Sequence, residues 1–266
     1  MRLFDSHAHI DDEVYDFDFD EMVHRAYDAC VKAIMVAGVT PETVAKALKI
    51  AQTNKNVFIS VGMHPHEAQY CSDDIIDSYK RLALQYPSII KAWGEAGLDF
   101  NRMHSPREMQ EKWFLRHIEA ADELNLSMIF HERDSEGRFL QILQSMGHRE
   151  RKGVVHCFSG TKEEMFKYLD LGYYIGITGI LTLQKRGDIL RELALLIPDD
   201  RIVIETDAPY LTPVPMKNKT RRNEPAFVRY VFNKLAEIKD VDADILAEIL
   251  WQNTSSLYNI NPEDIV

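Results

Sequence analysis

Cysteine is scarce in this 266-residue chain: Cys30, Cys71 and Cys157 are the only three, and they lie far apart. Three scattered thiols cannot form the disulfide framework of a small secreted domain, and they fit a reducing compartment. No segment stays apolar for the roughly 20 residues that a membrane span needs. Nor do the first residues show a basic stretch followed by an apolar core, so no export signal is expected. On that ground Asn218-Lys219-Thr220 and Asn253-Thr254-Ser255 are chance matches to a glycosylation sequon. Positive charge is in deficit too, with 31 Lys and Arg against 42 Asp and Glu and a formal charge of −11. An acidic surface repels nucleic acid in general and argues against tight non-specific binding. It leaves open a phosphate substrate at a site where bound cations set the local field. Low-complexity runs, Pro/Ser linkers and breaks in composition are also absent. One domain over residues 1–266 is expected, a cytoplasmic monomer with no membrane association and no obligate protein partner.

Apolar residues make up 45 % of the sequence, enough for a sizeable core. They gather in eight short β-rich segments: Arg2–Ile10, Ala33–Val39, Val57–His64, Lys91–Asp99, Ser127–Glu132, Lys152–Gly160, Gly172–Gly179 and Arg201–Pro209. Most are apolar throughout rather than alternating, the pattern of strands buried on both faces of a parallel sheet. Helical patterns fill the intervals. Thr40 precedes Pro41 ahead of a stripe of Val44, Leu48 and Ala51, while Ser105-Pro106-Arg107-Glu108 and Thr161-Lys162-Glu163-Glu164 read as capping boxes. Helices over Ala226–Lys239 and Ala243–Tyr258 close the chain. Repeats of roughly 30 residues predict consecutive βαβ units, and eight of them favour a closed (β/α)8 TIM barrel over an open sheet.

The informative ionisable residues fall at the C-terminal ends of these segments. His7 and His9 end the first, His64 the third, Glu95 and Asp99 the fourth, His131 the fifth, His156 the sixth, and Glu205 and Asp207 the eighth. His7 and His9 alone are ambiguous, since two core histidines would share one strand face equally well. In a barrel, however, all these ends converge on one face. Four histidines (His7, His9, His131, His156) and two carboxylates (Glu95, Asp207) then form a ligand set for two divalent cations sharing a carboxylate, a site suited to hydrolysis. Leaving six such groups buried without cations would cost several kcal/mol for each unpaired charge. Asp207, on the last strand beside the first, is the candidate general base. Glu205 could orient a ligand, bind an additional ion or pair with an interior lysine, and the first role is expected.

Seven motifs stand in order: Asp5-Ser6-His7-Ala8-His9, Gly62-Met63-His64-Pro65-His66, Gly94-Glu95-Ala96-Gly97-Leu98-Asp99, His131-Glu132-Arg133-Asp134, His156-Cys157-Phe158-Ser159-Gly160, Glu205-Thr206-Asp207-Ala208-Pro209-Tyr210-Leu211 and Arg222-Asn223-Glu224-Pro225. Together they resemble the TatD family of metal-dependent deoxyribonucleases, within the amidohydrolase-like barrel superfamily, from Arg2 to about Ile260. The resemblance implies that His7, His9, Glu95 and Asp207 hold one metal and Glu95, His131 and His156 the other, with Glu95 bridging. It also implies Asp207 as catalytic base and 3′–5′ exonuclease action on DNA, with magnesium or another divalent ion such as Mn or Zn. Glu132 and Ser127-Met128 depart from the family pattern around the fifth strand, and a carboxylate beside His131 could alter metal preference or phosphate approach.

Substrate contacts can be read separately. Met216–Asn223 is a basic cluster in an acidic protein, and barrel loops after the seventh and eighth strands commonly bind phosphate. Arg222 is its strongest candidate, and Arg133, two residues past His131, would share that strand face. His64 and His66 could donate a proton, contact phosphate or be loop histidines; Tyr210 and Phe100 could stack a base. DNA ends, or RNA ends, are the expected substrate. The alternative is a metal-dependent hydrolase of an amide, ester or other substrate on the same barrel, since fold does not settle substrate.

Overall fold

The computed structural model describes residues 1–147 and 151–265. Strands and helices alternate: β1 (Leu3–Ala8), α1 (Phe19–Asp28), β2 (Val31–Gly38), α2 (Pro41–Thr53), β3 (Val57–Val61), α3 (Asp73–Gln85), β4 (Ile90–Asp99), α4 (Arg107–Leu124), β5 (Ser127–Arg133), α5 (Arg138–Ser145), β6 (Gly153–Val155), α6 (Lys162–Asp170), β7 (Tyr174–Ile177), α7 (Asp188–Ala194), β8 (Ile202–Ile204), α8 (Val228–Lys239) and α9 (Ala243–Leu257). All eight strands pair in parallel in sequence order. The seam between β1 and β8 closes through a bridge between Ala8 and Ala208. There His9 N–H donates to Ala208 O at 2.7 Å and Asp207 N–H to His7 O at 2.9 Å. The result is the expected (β/α)8 barrel. No helix of the described residues is long and apolar enough to cross a membrane.

Strand parity divides the apolar residues between two layers. Phe4, Met35, Ala92, Ile129, Val154, Tyr174 and Val203, from seven of the eight strands, cluster with Trp251, Leu257 and Tyr258 of α9 and its C-terminal end. This fills the N-terminal half of the barrel and leaves the opposite mouth for polar groups. Alternate residues such as Val36, Trp93, Met128 and Ile175 pack outward against the helices.

Two β-bulges determine what reaches the mouth. Between β1 and β2 the pairing passes from Asp5–Ile34 to Ala8–Val36, three residues against two. Between β4 and β5 it passes from Gly94–Ile129 to Ala96–Phe130, and Glu95 is the extra residue. A bulge breaks the period of two and re-aims side chains. The second bulge requires glycine: Gly94 has φ +120°, and a Cβ there would fall 2.4 Å from Ile129 O. Gly62 of the preceding loop packs equally close, its would-be Cβ 2.4 Å from the Gly94 carbonyl carbon.

β1, β3, β6, β7 and β8 are shorter than the apolar segments suggest, whereas β2, β4 and β5 match theirs to within two residues at each end. His64, His156, Glu205 and Asp207 lie just past β3, β6 and β8, on the loops that the strands aim. Thr40 with Thr43, and Thr161 with Glu164, form reciprocal caps. The box expected at Ser105 does not form: α4 starts at Arg107 after Pro106, with no side-chain cap. Ser105 Oγ instead donates to His66 O at 2.7 Å and accepts from Gln69 N–H at 3.0 Å. It thereby ties the loop bearing His66 to the one leading into α4.

One core histidine gives the barrel an acid sensitivity. His117 on α4 is buried, and its Nδ1 accepts from Trp93 Nε1–H at 2.7 Å while Nε2 has no partner among the described residues. Burial pushes its pKa down to about 3. The folded state therefore binds fewer protons than the unfolded one between pH 6.5 and that value. Stability that is complete above pH 6.5 should fall with pH by about 1.4 kcal/mol per unit in that window. Replacing His117 with Asn keeps an acceptor for Trp93 and removes the titration. Denaturant midpoints at pH 7.5 and 5 should then diverge less in His117→Asn than in the natural protein.

Candidate metal centre

Glu95 lies at the middle of the mouth, almost fully buried, with its two oxygens facing different neighbours. Oε2 is 3.3 Å from His7 Nε2 and 3.9 Å from His9 Nε2. Asp207 Oδ1 stands on the same side, 3.7 and 3.6 Å from those two nitrogens. Oε1 is 2.5 Å from His131 Nδ1, 3.0 Å from His156 Nε2 and 3.3 Å from His64 Nε2. The ligand-type atoms of His7, His9 and Glu95 lie within 4.8 Å of one another, and so do those of His64, Glu95 and His131, and of His7, His156 and Glu205.

Outer partners orient several of these rings. His9 Nδ1 is 3.2 Å from Ala37 O, which can only accept. In the neutral ring Nδ1 carries the hydrogen, so the Nε2 lone pair faces the centre. His131 Nε2 lies 3.3 Å from Asp99 Oδ2, and His156 Nδ1 lies 3.2 Å from Glu205 Oε1, off the line of a hydrogen bond. An outer carboxylate on the far nitrogen leaves the near nitrogen free to hold a cation. Glu205 is itself held by Cys157 N–H at 2.5 Å and Ser6 Oγ at 3.4 Å. It has room because residue 176 is glycine, where a Cβ would fall 2.8 Å from its Oε2.

The electrostatics call for positive charge at this point. Burial opposes ionisation of Glu95, yet His156, His64 and His131 hold its pKa well below the ordinary carboxylate range. Asp207 is likewise lowered against its burial by His9, His156 and His7. In return, and again against burial, His156 is pushed far up by Glu95 and Glu205, His131 is raised by Asp99 and Glu95, and Asp207 and Glu95 hold His9 at about 9. Protons on these rings balance the carboxylates when nothing else does. A divalent cation would take their place, and a donor set of imidazole nitrogen and carboxylate oxygen is one that such cations accept. Burial instead lowers His64, to about 4, and lowers His7 with the help of His156.

Other expected contacts fare differently. His66 Nε2 is 2.8 Å from Asp99 Oδ2, so Asp99 carries both His66 and His131. Asp99 ended the fourth apolar segment in the sequence but received no role, although it shares a strand face with Glu95 by the period of two. Its Oδ1 accepts from Asn101 and Arg102 N–H at 3.1 and 2.8 Å, and these bonds fix its position. Arg133, at the end of β5, is half-buried, and its guanidinium makes no ion pair among the described residues. Arg222 does not stand free for phosphate. Its guanidinium donates to both Asp18 oxygens at 2.6 Å and to Val14 O at 3.0 Å, and it lies over the Tyr15 and Phe17 rings. The sequence could not show that Asp18, some 200 residues away, would claim it. Lys217 and Lys219 are exposed. Phe100 is covered by Arg107 at 4.3 Å, whereas Tyr210 is exposed with its ring 6.1 Å from His9. Glu132, beside His131, accepts at Oε1 from Ser135 N–H and Oγ–H at 3.1 and 2.7 Å, which turns its carboxylate toward the loop before α5.

The family model described as TatD related DNase matches residues 4–259. The uncharacterized metal-dependent hydrolase YabD of Bacillus subtilis (strain 168) is 34 % identical over 259 residues, covering 97 % of this chain and 100 % of that one. The 3′-5′ ssDNA/RNA exonuclease TatD of Escherichia coli (strain K12) is 36 % identical over 260 residues, covering 97 % and 99 % of the two chains. Among solved structures, the crystal structure of YJJV, a TatD homolog from Escherichia coli K12, superposes with a TM-score of 0.90 at 28 % identity, over 98 % of this chain and 99 % of that one.

Proposed function

The chain belongs to the TatD-related DNase family, and from that premise we propose that it is a metal-dependent hydrolase of phosphodiester bonds that removes nucleotides from the 3′ ends of DNA or RNA. The observation that carries the proposal is the division of Glu95, whose Oε2 faces His7 and His9 while Oε1 faces His131 and His156. On this reading His7, His9, Glu95 and Asp207 hold one divalent ion and Glu95, His131 and His156 a second, with Mg, Mn or Zn as the ion. When bound, the ions supply Lewis acidity toward water and a phosphoryl oxygen. Asp207 carboxylate, ionised over the neutral range, takes the proton of the attacking water. Glu205 and Asp99 act through the rings they touch, steadying His156 and His131. Arg133, uncommitted at the end of β5, contacts the phosphate in two hydrogen bonds, and His66 lines the same approach. The protein works as a cytoplasmic monomer whose substrate is a nucleic-acid end.

The engagement of Arg222 by Asp18 favours one rival, a carbonyl hydrolase on the same barrel, because it removes a phosphate contact that a nuclease would use. One screen separates the two. Protein stripped with chelator and reloaded should take up about two ions per chain. It should then shorten a 5′-labelled single strand from its 3′ end. Arg133→Ala should raise KM for that strand at least roughly tenfold, since each of the two charge-assisted hydrogen bonds lost is worth about 1.5–3 kcal/mol. Turnover of carboxyl esters with no cleavage of any oligonucleotide, in Mg, Mn and Zn alike, would establish the rival.

A further inference from the structure

Five histidines present a ring nitrogen to the mouth around Glu95, and by distance alone His64 is as good a ligand as the others. Its Nε2 lies 3.3 Å from Glu95 Oε1 and 3.2 Å from His131 Nδ1. The other end of the ring distinguishes it. His64 is the N-cap of the 3-10 helix Pro65–Tyr70, and the backbone N–H of His66 donates to its Nδ1 at 3.1 Å. An amide N–H cannot accept, so Nδ1 must offer a lone pair, and in the neutral ring the hydrogen then resides on Nε2. A nitrogen that carries hydrogen cannot coordinate a cation. At His9 the logic runs in reverse, because Ala37 O at Nδ1 accepts a hydrogen and frees the Nε2 lone pair.

We propose that His64 is a tautomer-locked hydrogen-bond donor to a non-bridging oxygen of the substrate phosphate, and that it is not a metal ligand. This rests on the phosphodiester reading above for the identity of the acceptor, but the exclusion of His64 from coordination rests on the cap alone. The backbone supports the assignment from both sides: His64 N–H donates to Val39 O at 3.1 Å, and its carbonyl accepts from Glu67 N–H at 2.8 Å. The ring is therefore fixed by backbone hydrogen bonds around its own turn, none of which involves a side chain of the mouth other than His64 itself. An oxygen drawn between Glu95 and His131 meets a preset N–H, and a donor that needs no reorganisation is worth most in the transition state. The reaction moves no proton at this ring; the bond forms as charge develops on the phosphoryl oxygen.

Two substitutions test the assignment. His64→Asn retains an oxygen for the His66 N–H and removes the donor; His64→Gln carries an amide N–H out to the position of Nε2. Manganese titration of chelator-stripped protein reads coordination directly, without substrate. Both variants should bind as many ions as the natural protein; loss of the His64 contact to Glu95 should weaken Kd by no more than the roughly 10–100-fold that an outer partner is worth, with the ion count unchanged. In His64→Asn, kcat on a single-stranded oligonucleotide should fall about 10²–10³-fold, as for a lost oxyanion donor, with KM changed far less. His64→Gln should recover part of that loss. The loss of one ion from both variants would make His64 a ligand and overturn the proposal. An unchanged kcat in His64→Asn with both ions kept would overturn it equally. If the natural protein cleaves no phosphodiester, the acceptor named here falls with that reading, while the ion count still decides whether His64 coordinates.

Discussion

Asp207→Asn is expected to lower kcat for phosphodiester cleavage by roughly 10²–10⁴-fold, the usual worth of a positioned general base, with the fold unchanged. The substitution is nearly isosteric, and its backbone demand is one that Asn meets. Asp207 has φ +55°, in the left-handed region that Asp and Asn tolerate better than other side chains. Its N–H would still donate to His7 O at the barrel seam, and its carbonyl would still accept from Tyr210 N–H. Only the carboxylate is lost. That carboxylate faces His7 and His9 at 3.7 and 3.6 Å, so the ion held on that side should bind more weakly in the variant. The ion at His131 and His156 should be little affected. Rates must therefore be measured at saturating manganese, with the thermal midpoint as the control for folding. A variant that regains the natural kcat at high manganese would show Asp207 to be a ligand alone. A loss that persists at saturation assigns it the proton.

The barrel was legible because its cause is local. Strands apolar on both faces, helices with recognisable caps and repeats of about 30 residues each point to the same architecture. The meeting of His7, His9, Glu95, His131, His156 and Asp207 was legible for a related reason: a barrel gathers strand ends on one face whatever their distance in sequence. Side-chain partners assigned across the fold were not. Arg222 read as a phosphate contact because its neighbours Lys219 and Arg221 are basic, yet Asp18, on another loop, takes its guanidinium. Ser105 read as a helix cap and instead ties two loops together. The bulges were equally hidden. Strict alternation puts His7 on the face opposite Phe4, and one extra residue in β1 brings both inward. No spacing rule announces such an insertion. Gly94 beside Glu95 was the nearest local signal of the second, since glycine within a strand often marks a bulge. The tautomer of His64 is set by a backbone N–H two residues along, which only coordinates reveal.

Glu95→Gln should affect more properties at once than any other substitution. It should reduce the ions bound from about two per chain to one or none, and lower kcat by at least roughly 10³–10⁴-fold, the equivalent of several kcal/mol of transition-state stabilisation. An amide can present one oxygen to one side of the centre but cannot be an anion to both. The metal-free protein should also change in a way that pH exposes. Glu95 is the group that, with Glu205, holds His156 far above its ordinary pKa against burial, and it helps Asp99 to raise His131. A histidine raised in the folded state stabilises that state fully below its unfolded value of about 6.5, and this stabilisation disappears as pH rises through the raised value. Removing Glu95 removes that contribution and leaves buried rings whose charge is no longer matched, a defect of about 3–5 kcal/mol when one partner of a buried pair is lost. The gap in stability between natural and variant protein, measured by denaturation in chelator, should therefore be widest near pH 6 and narrow toward alkaline pH. Divalent metal should widen it again at neutral pH, since the natural protein binds more ions than the variant and gains more stability from them. A gap independent of both pH and metal would mean that Glu95 acts as packing, and the division of its two oxygens between two sets of histidines would then have no chemical consequence.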